Sequence, residues 1–176
     1  GARRGGPGGW LYRREARQLL EYERRVAATS AASVTVSRAE ADLATRLAPE
    51  AGERVRWVEN GVDTNYFSPV RPFANPYPEG AAPLVLTGAM DYWANVDAAE
   101  WFAREVFPRI RARRPEACFY VVGARPAEAV RRLREVKGVH VTGAVTDIRP
   151  YLAHARLAVA PMRVARGIQN KVLEAM

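Results

Sequence analysis

Apolar positions along the chain change their period several times, and each change predicts an element. From Trp10 to Ala28, Leu11, Leu19, Leu20 and Val26 recur among charges at a spacing closer to a helix than to a strand. SVTVS, Ser33 to Ser37, alternates and is β-branched, which predicts a short strand. Ser37 then opens Ser-Arg-Ala-Glu, a capping box completed by Glu40, and a helix is expected from there to about Ala48, ahead of Pro49. RVRWVE, Arg54 to Glu59, is a second strand, closed by the turn pair Asn60-Gly61.

Periodicity then lapses. Residues 62–83, VDTNYFSPVRPFANPYPEGAAP, hold five of the twelve prolines, the composition of an extended and fairly stiff linker between two units, 1–61 and 84–176. Beyond it the order is regular. Short strands are expected at Leu84 to Gly88, Cys118 to Gly123, Val139 to Gly143 and Leu157 to Pro161. Helices are expected at Asp97 to Arg113, Pro126 to Val136 and Asp147 to His154, with one more at the end of the chain. Strand and helix in strict alternation imply a parallel sheet with right-handed crossovers, so the second unit is expected to be a doubly wound, Rossmann-like α/β domain. In such sheets ligands bind beyond the carboxyl ends of the strands, which directs attention to the loops after Gly88, Gly123, Gly143 and Pro161.

Composition narrows the class. The 176 residues, 48% hydrophobic and 26% charged, allow one good core, or one and a piece. ARLAVAPM and ACFYVVGA, the longest apolar runs, fall far short of the roughly 18 to 20 residues of a spanning helix. The one cysteine, Cys118, excludes an internal disulfide and a zinc cluster of Cys type, and its place in a strand makes it buried filler. A net charge of +8 invites a nucleic-acid reading, but nearly all of it is arginine alternating with glutamate on helices, with no aromatic platform or finger pattern. Solvated helix faces account for it, with contact to an anionic substrate or a membrane surface left open and nucleic acid not expected. The start on Gly1, with no signal-peptide pattern in GARRGGPGGW, and the stop on Ala175 and Met176 inside a helical pattern read as cut ends.

Two stretches carry candidate chemistry. Gly88, followed by Ala89, comes directly after a strand, where a missing side chain lets backbone N–H groups approach an anion; a plain turn is the alternative. No G-x-G-x-x-G pattern supports a dinucleotide cofactor. In RGIQNKVLEAM, Lys171 falls near the start of a helix, where a cation is disfavoured by roughly 0.3 to 1 kcal/mol. A diphosphate held by Arg166 and Lys171 beside Gly167 reverses that sign, and Glu174, one turn on, is placed to accept ribose hydroxyls. A local Lys171–Glu174 pair with a solvated Arg166 explains the same residues without a ligand. Neither His140 in a strand nor His154 at a helix end is expected to be catalytic.

RGIQNKVLEAM, taken with NGVDTNYFSP ahead of the linker, resembles the retaining glycosyltransferases of the GT-B fold, family 4. LTGAMDYWANVDAAEWFAREVFPRIRARRPEACFYVVGARP and VHVTGAVTDIRPYLAHARLAVAPMRVARGIQNKVLEAM are similar to the exosortase/PEP-CTERM, exopolysaccharide-associated sugar transferases of Gram-negative bacteria. The resemblance runs from about Trp10 to Met176. It implies the tail of an acceptor domain over 1–61 and an incomplete nucleotide-sugar domain over 84–176, inactive as an isolated fragment. It also implies transfer from a nucleotide-sugar donor to a glycan or lipid-linked acceptor in the cytoplasm, peripheral to the inner membrane face at most. No cofactor or metal is expected, the nucleotide sugar being a substrate; a non-catalytic nucleotide- or partner-binding fragment is the alternative.

Carried over by position, Gly88 and Ala89 resemble the loop beneath the donor phosphates. Val145 in GAVTDI resembles the residue nearest the base, and Glu174 the second acid of the motif Glu, seven residues, Glu. The first acid of that motif is Arg166 here. The Arg and Lys that commonly follow the first donor-domain strand are missing from GAMDYWANVDA, a phosphate role that Arg166 and Lys171 are expected to take over.

Overall fold

A computed structural model describes residues 7–165 and 167–176, and the chain divides into two units, 1–60 and 61–176. In the first, helix α1 (Pro7–Thr29) is followed by strand β1 (Ser33–Thr35), helix α2 (Arg38–Leu47), a 3-10 turn at Pro49–Arg54 and strand β2 (Val55–Trp57). The two strands pair in parallel, Ser33 against Val55 and Thr35 against Trp57. Ser37 caps the helix as expected: its side chain accepts from the Glu40 N–H at 3.3 Å, while the Glu40 carboxylate meets the Ser37 hydroxyl at 3.4 Å. Ala41, Ala48, Ala51 and Val55 make a small core against which Ala27 and Ala44 pack. Arg24 ties α1 to the 3-10 turn through two hydrogen bonds to Glu50, at 2.7 and 3.0 Å. Among the described residues no helix is long and apolar enough to cross a membrane.

The second unit holds strand β3 (Ala82–Thr87), helix α3 (Trp93–Trp101), helix α4 (Phe107–Arg113), strand β4 (Ala117–Val122), helix α5 (Glu128–Arg131), strand β5 (Val139–Gly143), helix α6 (Arg149–Ala153), strand β6 (Leu157–Ala158) and helix α7 (Asn170–Ala175). Its sheet is wholly parallel, in the order β5-β4-β3-β6. Side chains alternate across the sheet with period two. Leu84, Leu86, Phe119, Val121, Val139 and Val141 point to one face, where Ala99, Phe102, Phe107, Val130 and Leu133 cover them. Val85, Cys118, Tyr120 and Val122 point to the other, against Tyr77, Ile148, Tyr151 and Leu152. Covering on both faces explains why β3 and β4 read as unbroken apolar runs. The doubly wound α/β fold is the one expected, and Cys118 is buried filler.

Several boundaries differ from the expected ones for local reasons. The helix expected from Asp97 starts one turn earlier, at Trp93. It is interrupted by a π turn at Phe102–Val106, where the Phe107 N–H reaches back to the Phe102 carbonyl. Pro108 has no N–H for the Arg104 carbonyl and its ring crowds that group, so the chain takes up an extra residue there. The 126–136 segment is α5 continued by a 3-10 turn at Arg132–Glu135. Strand β6 stops at Ala158; the Val159 N–H still reaches the Val85 carbonyl at 2.8 Å, but Pro161 has no donor with which to extend the ladder.

The proline-rich stretch is part of the second unit, and its later half is fastened to α6. The Tyr77 hydroxyl donates to the Tyr151 carbonyl at 2.6 Å, and His154 Nε2 lies 2.7 Å from the Phe73 carbonyl. The Arg149 guanidinium, held by Asp147, stacks on Tyr66 at 3.8 Å and approaches Phe73 at 5.2 Å. Burial among Cys118, Tyr120 and Tyr151 raises the Tyr77 phenol pKa well above its ordinary value. Tyr77→Phe removes one buried donor and is expected to cost about 1 kcal/mol in urea unfolding, with no change in the far-ultraviolet circular dichroism.

Candidate functional site

Strand β3 has β4 on one side and β6 on the other, so the chain order reverses at β3. The crevice at the carboxyl ends of β3 and β6 is therefore the topological switch point of the sheet. Two glycines shape it. At Gly88 the backbone has φ 144°, and a Cβ there would stand 2.8 Å from Asn95 Nδ2 and 3.5 Å from Lys171 Nζ. At Gly123 a Cβ would stand 1.7 Å from the Gly88 carbonyl oxygen, so only glycine lets the β4 loop lie against the β3 loop. The Gly88 N–H donates to the Val122 carbonyl at 3.1 Å, and the Met90 N–H to the Ala124 carbonyl at 2.9 Å, joining the two loops through backbone.

Asn95 sits in the first turn of α3, on the buried stripe with Ala94, Ala98 and Ala99, and is only 7% exposed. Its Nδ2 donates to the Ala89 carbonyl at 2.9 Å, and its Oδ1 accepts from Lys171 Nζ at 2.7 Å. The orientation of the amide follows from its neighbours, since a carbonyl needs a donor and an ammonium needs an acceptor. Lys171 is half-buried, and Met162 Sδ at 3.8 Å is its other polar neighbour. Burial lowers the Lys171 pKa, and the nearby Glu174 opposes that shift. Burial likewise raises the Glu174 carboxyl pKa, against Lys171. The two groups sense each other, yet the amine is committed to Asn95 and no ion pair closes between them.

Ion pairs brace the rim. Arg163, in the loop after β6, makes a two-pronged contact with Asp97 of α3, its Nε 2.9 Å from Oδ2 and its Nη2 on Oδ1. The loop between α7 and β6 is thus clipped to α3 at both ends, by Arg163–Asp97 and by Lys171–Asn95. Arg125, a non-glycine residue at φ 50°, pairs with Asp91 at 2.5 Å and ties the β4 loop to the β3 loop. In each pair the guanidinium lowers the carboxyl pKa. Both pairs are exposed, so they orient the loops more than they stabilise them.

The structure brings some of the sequence-derived residues together and separates others. Gly88, the Ala89 carbonyl and Lys171 meet around Asn95. Lys171, with Thr87, lines a crevice of about 220 Å³ over β3 and β6, whereas Glu174 lines a second one of similar size with Phe67, Phe73, Arg149 and Leu152. Val145 follows β5, two strands from β3, roughly 10 Å across the sheet, and packs into the apolar cluster of Tyr77, Cys118 and Tyr120. Gly167 takes the left-handed conformation, φ 67°. Arg166 lies outside the described residues. Sequence reasoning missed Asn95, Gly123 and the two rim pairs. Asn95 had one readable signal, a polar residue on an otherwise alanine-lined buried stripe.

The glycosyltransferase group 1 family matches residues 82–176, more than half of the chain, and the chain belongs to that family. Two solved structures are similar in fold at 14% identity. A glycosyltransferase from Rickettsia africae ESF-5 superposes with a TM-score of 0.58, over 80% of this chain and 40% of that one. Anabaena HepE, solved in complex with UDP and glucose, superposes with a TM-score of 0.62, over 90% of this chain and 46% of that one. The chain thus spans less than half the length of either. No curated protein sequence matches it.

The Asn95–Lys171 contact is measurable by itself. Asn95→Leu leaves the half-buried amine without its oxygen acceptor and is expected to cost about 1.5 to 3 kcal/mol of stability. Combined with Lys171→Met, the loss should fall short of the sum of the single losses by about 1 kcal/mol, read from a double-mutant cycle of chemical unfolding.

Proposed function

We propose that this chain is the donor-binding part of a glycosyltransferase, and that the crevice at the switch point receives the diphosphate of a nucleotide sugar. The observation that carries the reading is the Lys171 ammonium: half-buried, fixed over a glycine that leaves the approach open, and answered by a neutral amide rather than a carboxylate. A cation so placed has charge to offer an anionic ligand. Membership of the glycosyltransferase group 1 family supports the same reading, as does the UDP and glucose bound by the structurally similar Anabaena protein.

In the reaction, the bond from the anomeric carbon to the diphosphate oxygen breaks, and negative charge grows on the leaving group as an acceptor hydroxyl attacks. Lys171 stabilises that charge, most strongly in the transition state, where it is largest. Glu174 accepts ribose hydroxyls and Val145 borders the base; Gly88 and Ala89 line the floor. Transfer proceeds with retention and without a metal, to a glycan or lipid-linked acceptor in exopolysaccharide or other cell-surface glycan assembly, on the cytoplasmic side of the membrane.

Calorimetric titration with UDP, GDP, ADP and dTDP tests the reading. One of them should bind, and Lys171→Ala should weaken it about ten- to a hundredfold, the worth of a hydrogen bond to a charged group. Absence of binding to all four overturns the assignment; binding without donor hydrolysis or transfer by the full-length protein reduces it to a binding module.

Because burial lowers the Lys171 pKa, the amine loses its charge below the ordinary lysine value of 10.5. Diphosphate affinity should fall as pH rises through that window, and Lys171→Met should abolish this alkaline limb. The sign for stability is opposite. Between the lowered pKa and 10.5 the unfolded chain binds the extra proton, so the unliganded protein gains stability with rising pH. Glu174→Gln should weaken diphosphate binding several-fold while leaving the alkaline limb in place.

A further inference from the structure

Asn95 does not line the crevice beside Lys171, yet it determines what Lys171 presents to a ligand there. Its Nδ2 is fixed by the Ala89 carbonyl at 2.9 Å, which leaves only Oδ1, at 2.7 Å, to face the ammonium. At 7% exposure the amide is enclosed by α3 and the β3 loop. Its Nδ2 stands 2.8 Å from where a Cβ on residue 88 would be, so a side chain there would displace the amide, and glycine leaves it in place. A carboxylate at this position would neutralise the amine, and an apolar side chain would release it. A neutral amide does neither: it orients the ammonium and leaves its charge for another anion, with one N–H donor uncommitted and a second held only by the weak acceptor Met162 Sδ.

We propose that Asn95 is a positioning residue for nucleoside diphosphate recognition, holding Lys171 as an oriented, unneutralised cation at the mouth of the β3–β6 crevice, so that the pair selects the diphosphate and is indifferent to the nucleoside. This rests on the donor-site reading above and adds to it a residue and a selectivity. The cation belongs to α7 and its support to α3, so the site is assembled across the switch point, from elements about seventy residues apart in sequence.

The test compares each of UDP, GDP, ADP and dTDP with its matching nucleoside, by calorimetry on the wild-type protein and on Asn95→Leu, Asn95→Ser and Asn95→Asp. For the nucleotide that binds, Asn95→Leu should lose about tenfold in diphosphate affinity and nothing in nucleoside affinity. Asn95→Asp should lose more than Asn95→Leu, because its carboxylate both occupies the ammonium and repels the diphosphate. On a Lys171→Met background, Asn95→Leu should have no further effect on either ligand. In the wild-type protein the Lys171 ammonium resonance, in ¹H–¹⁵N spectra, should move on adding the diphosphate and stay in place with the nucleoside, a readout independent of whether the variants fold. If the wild-type protein binds none of the four, the donor-site reading fails. If it binds one, and Asn95→Leu and Asn95→Ser keep wild-type affinity, or lose diphosphate and nucleoside affinity equally, the role of Asn95 is overturned while the donor site stands.

Discussion

A half-buried ammonium must find acceptors, and the second unit is arranged around the one that Lys171 finds. The Asn95 amide reaches it because α3 starts at Trp93 rather than Asp97, which turns Asn95 onto the buried stripe. It stays there because the Ala89 carbonyl takes its other end. Gly88 must be glycine for Asn95 to lie where it does, and Gly123 must be glycine for the Gly88 carbonyl to lie where it does. One polar contact thus fixes the residue choice at four positions drawn from three strand-to-helix connections.

Electrostatics and packing act on different parts of this arrangement. The sheet is held by burial on both faces, with Leu86, Phe119 and Val121 fully enclosed, and would form whatever stood at position 171. The rim is held by exposed ion pairs, worth little in stability but restrictive in direction. Between them sits the ammonium, stabilised only partly, with its pKa lowered by burial. A protein optimised for stability alone would place a carboxylate beside it or an apolar residue in its stead; an anion site needs the cation left available.

The alternation of strands and helices was legible in the sequence because both sheet faces are covered, so each strand is an apolar run bounded by Gly or Pro. The Ser37 cap was legible because it is local chemistry: its side chain takes the Glu40 N–H, and the Glu40 carboxylate returns to the Ser37 hydroxyl. What could not be read were features made by distant partners. Pro108 forces a π turn only because the helix continues beyond it, to Arg113, with the preceding Phe107 held in the core. The proline-rich stretch read as an extended, fairly stiff linker, yet Tyr77 finds an acceptor on α6 and Phe73 a donor in His154 just beyond it, more than seventy residues away. At the site, Lys171 and Gly88 stood out through local oddities, whereas Asn95 differs from a surface residue only by its buried neighbours. Lys171 and Glu174 were read as one face of one helix, yet they line different crevices, because α7 borders one crevice over β3 and β6 and another beside residues 67–73.

The central claim is that the oriented Lys171 ammonium receives a diphosphate at the β3–β6 switch point. A crystal structure with the tightest-binding nucleoside diphosphate tests it most directly. The account predicts a phosphate oxygen within hydrogen-bond distance of Lys171 Nζ, with Asn95 Oδ1 still on the same amine. Diphosphate density elsewhere on the unit, with Lys171 undisturbed, would contradict it.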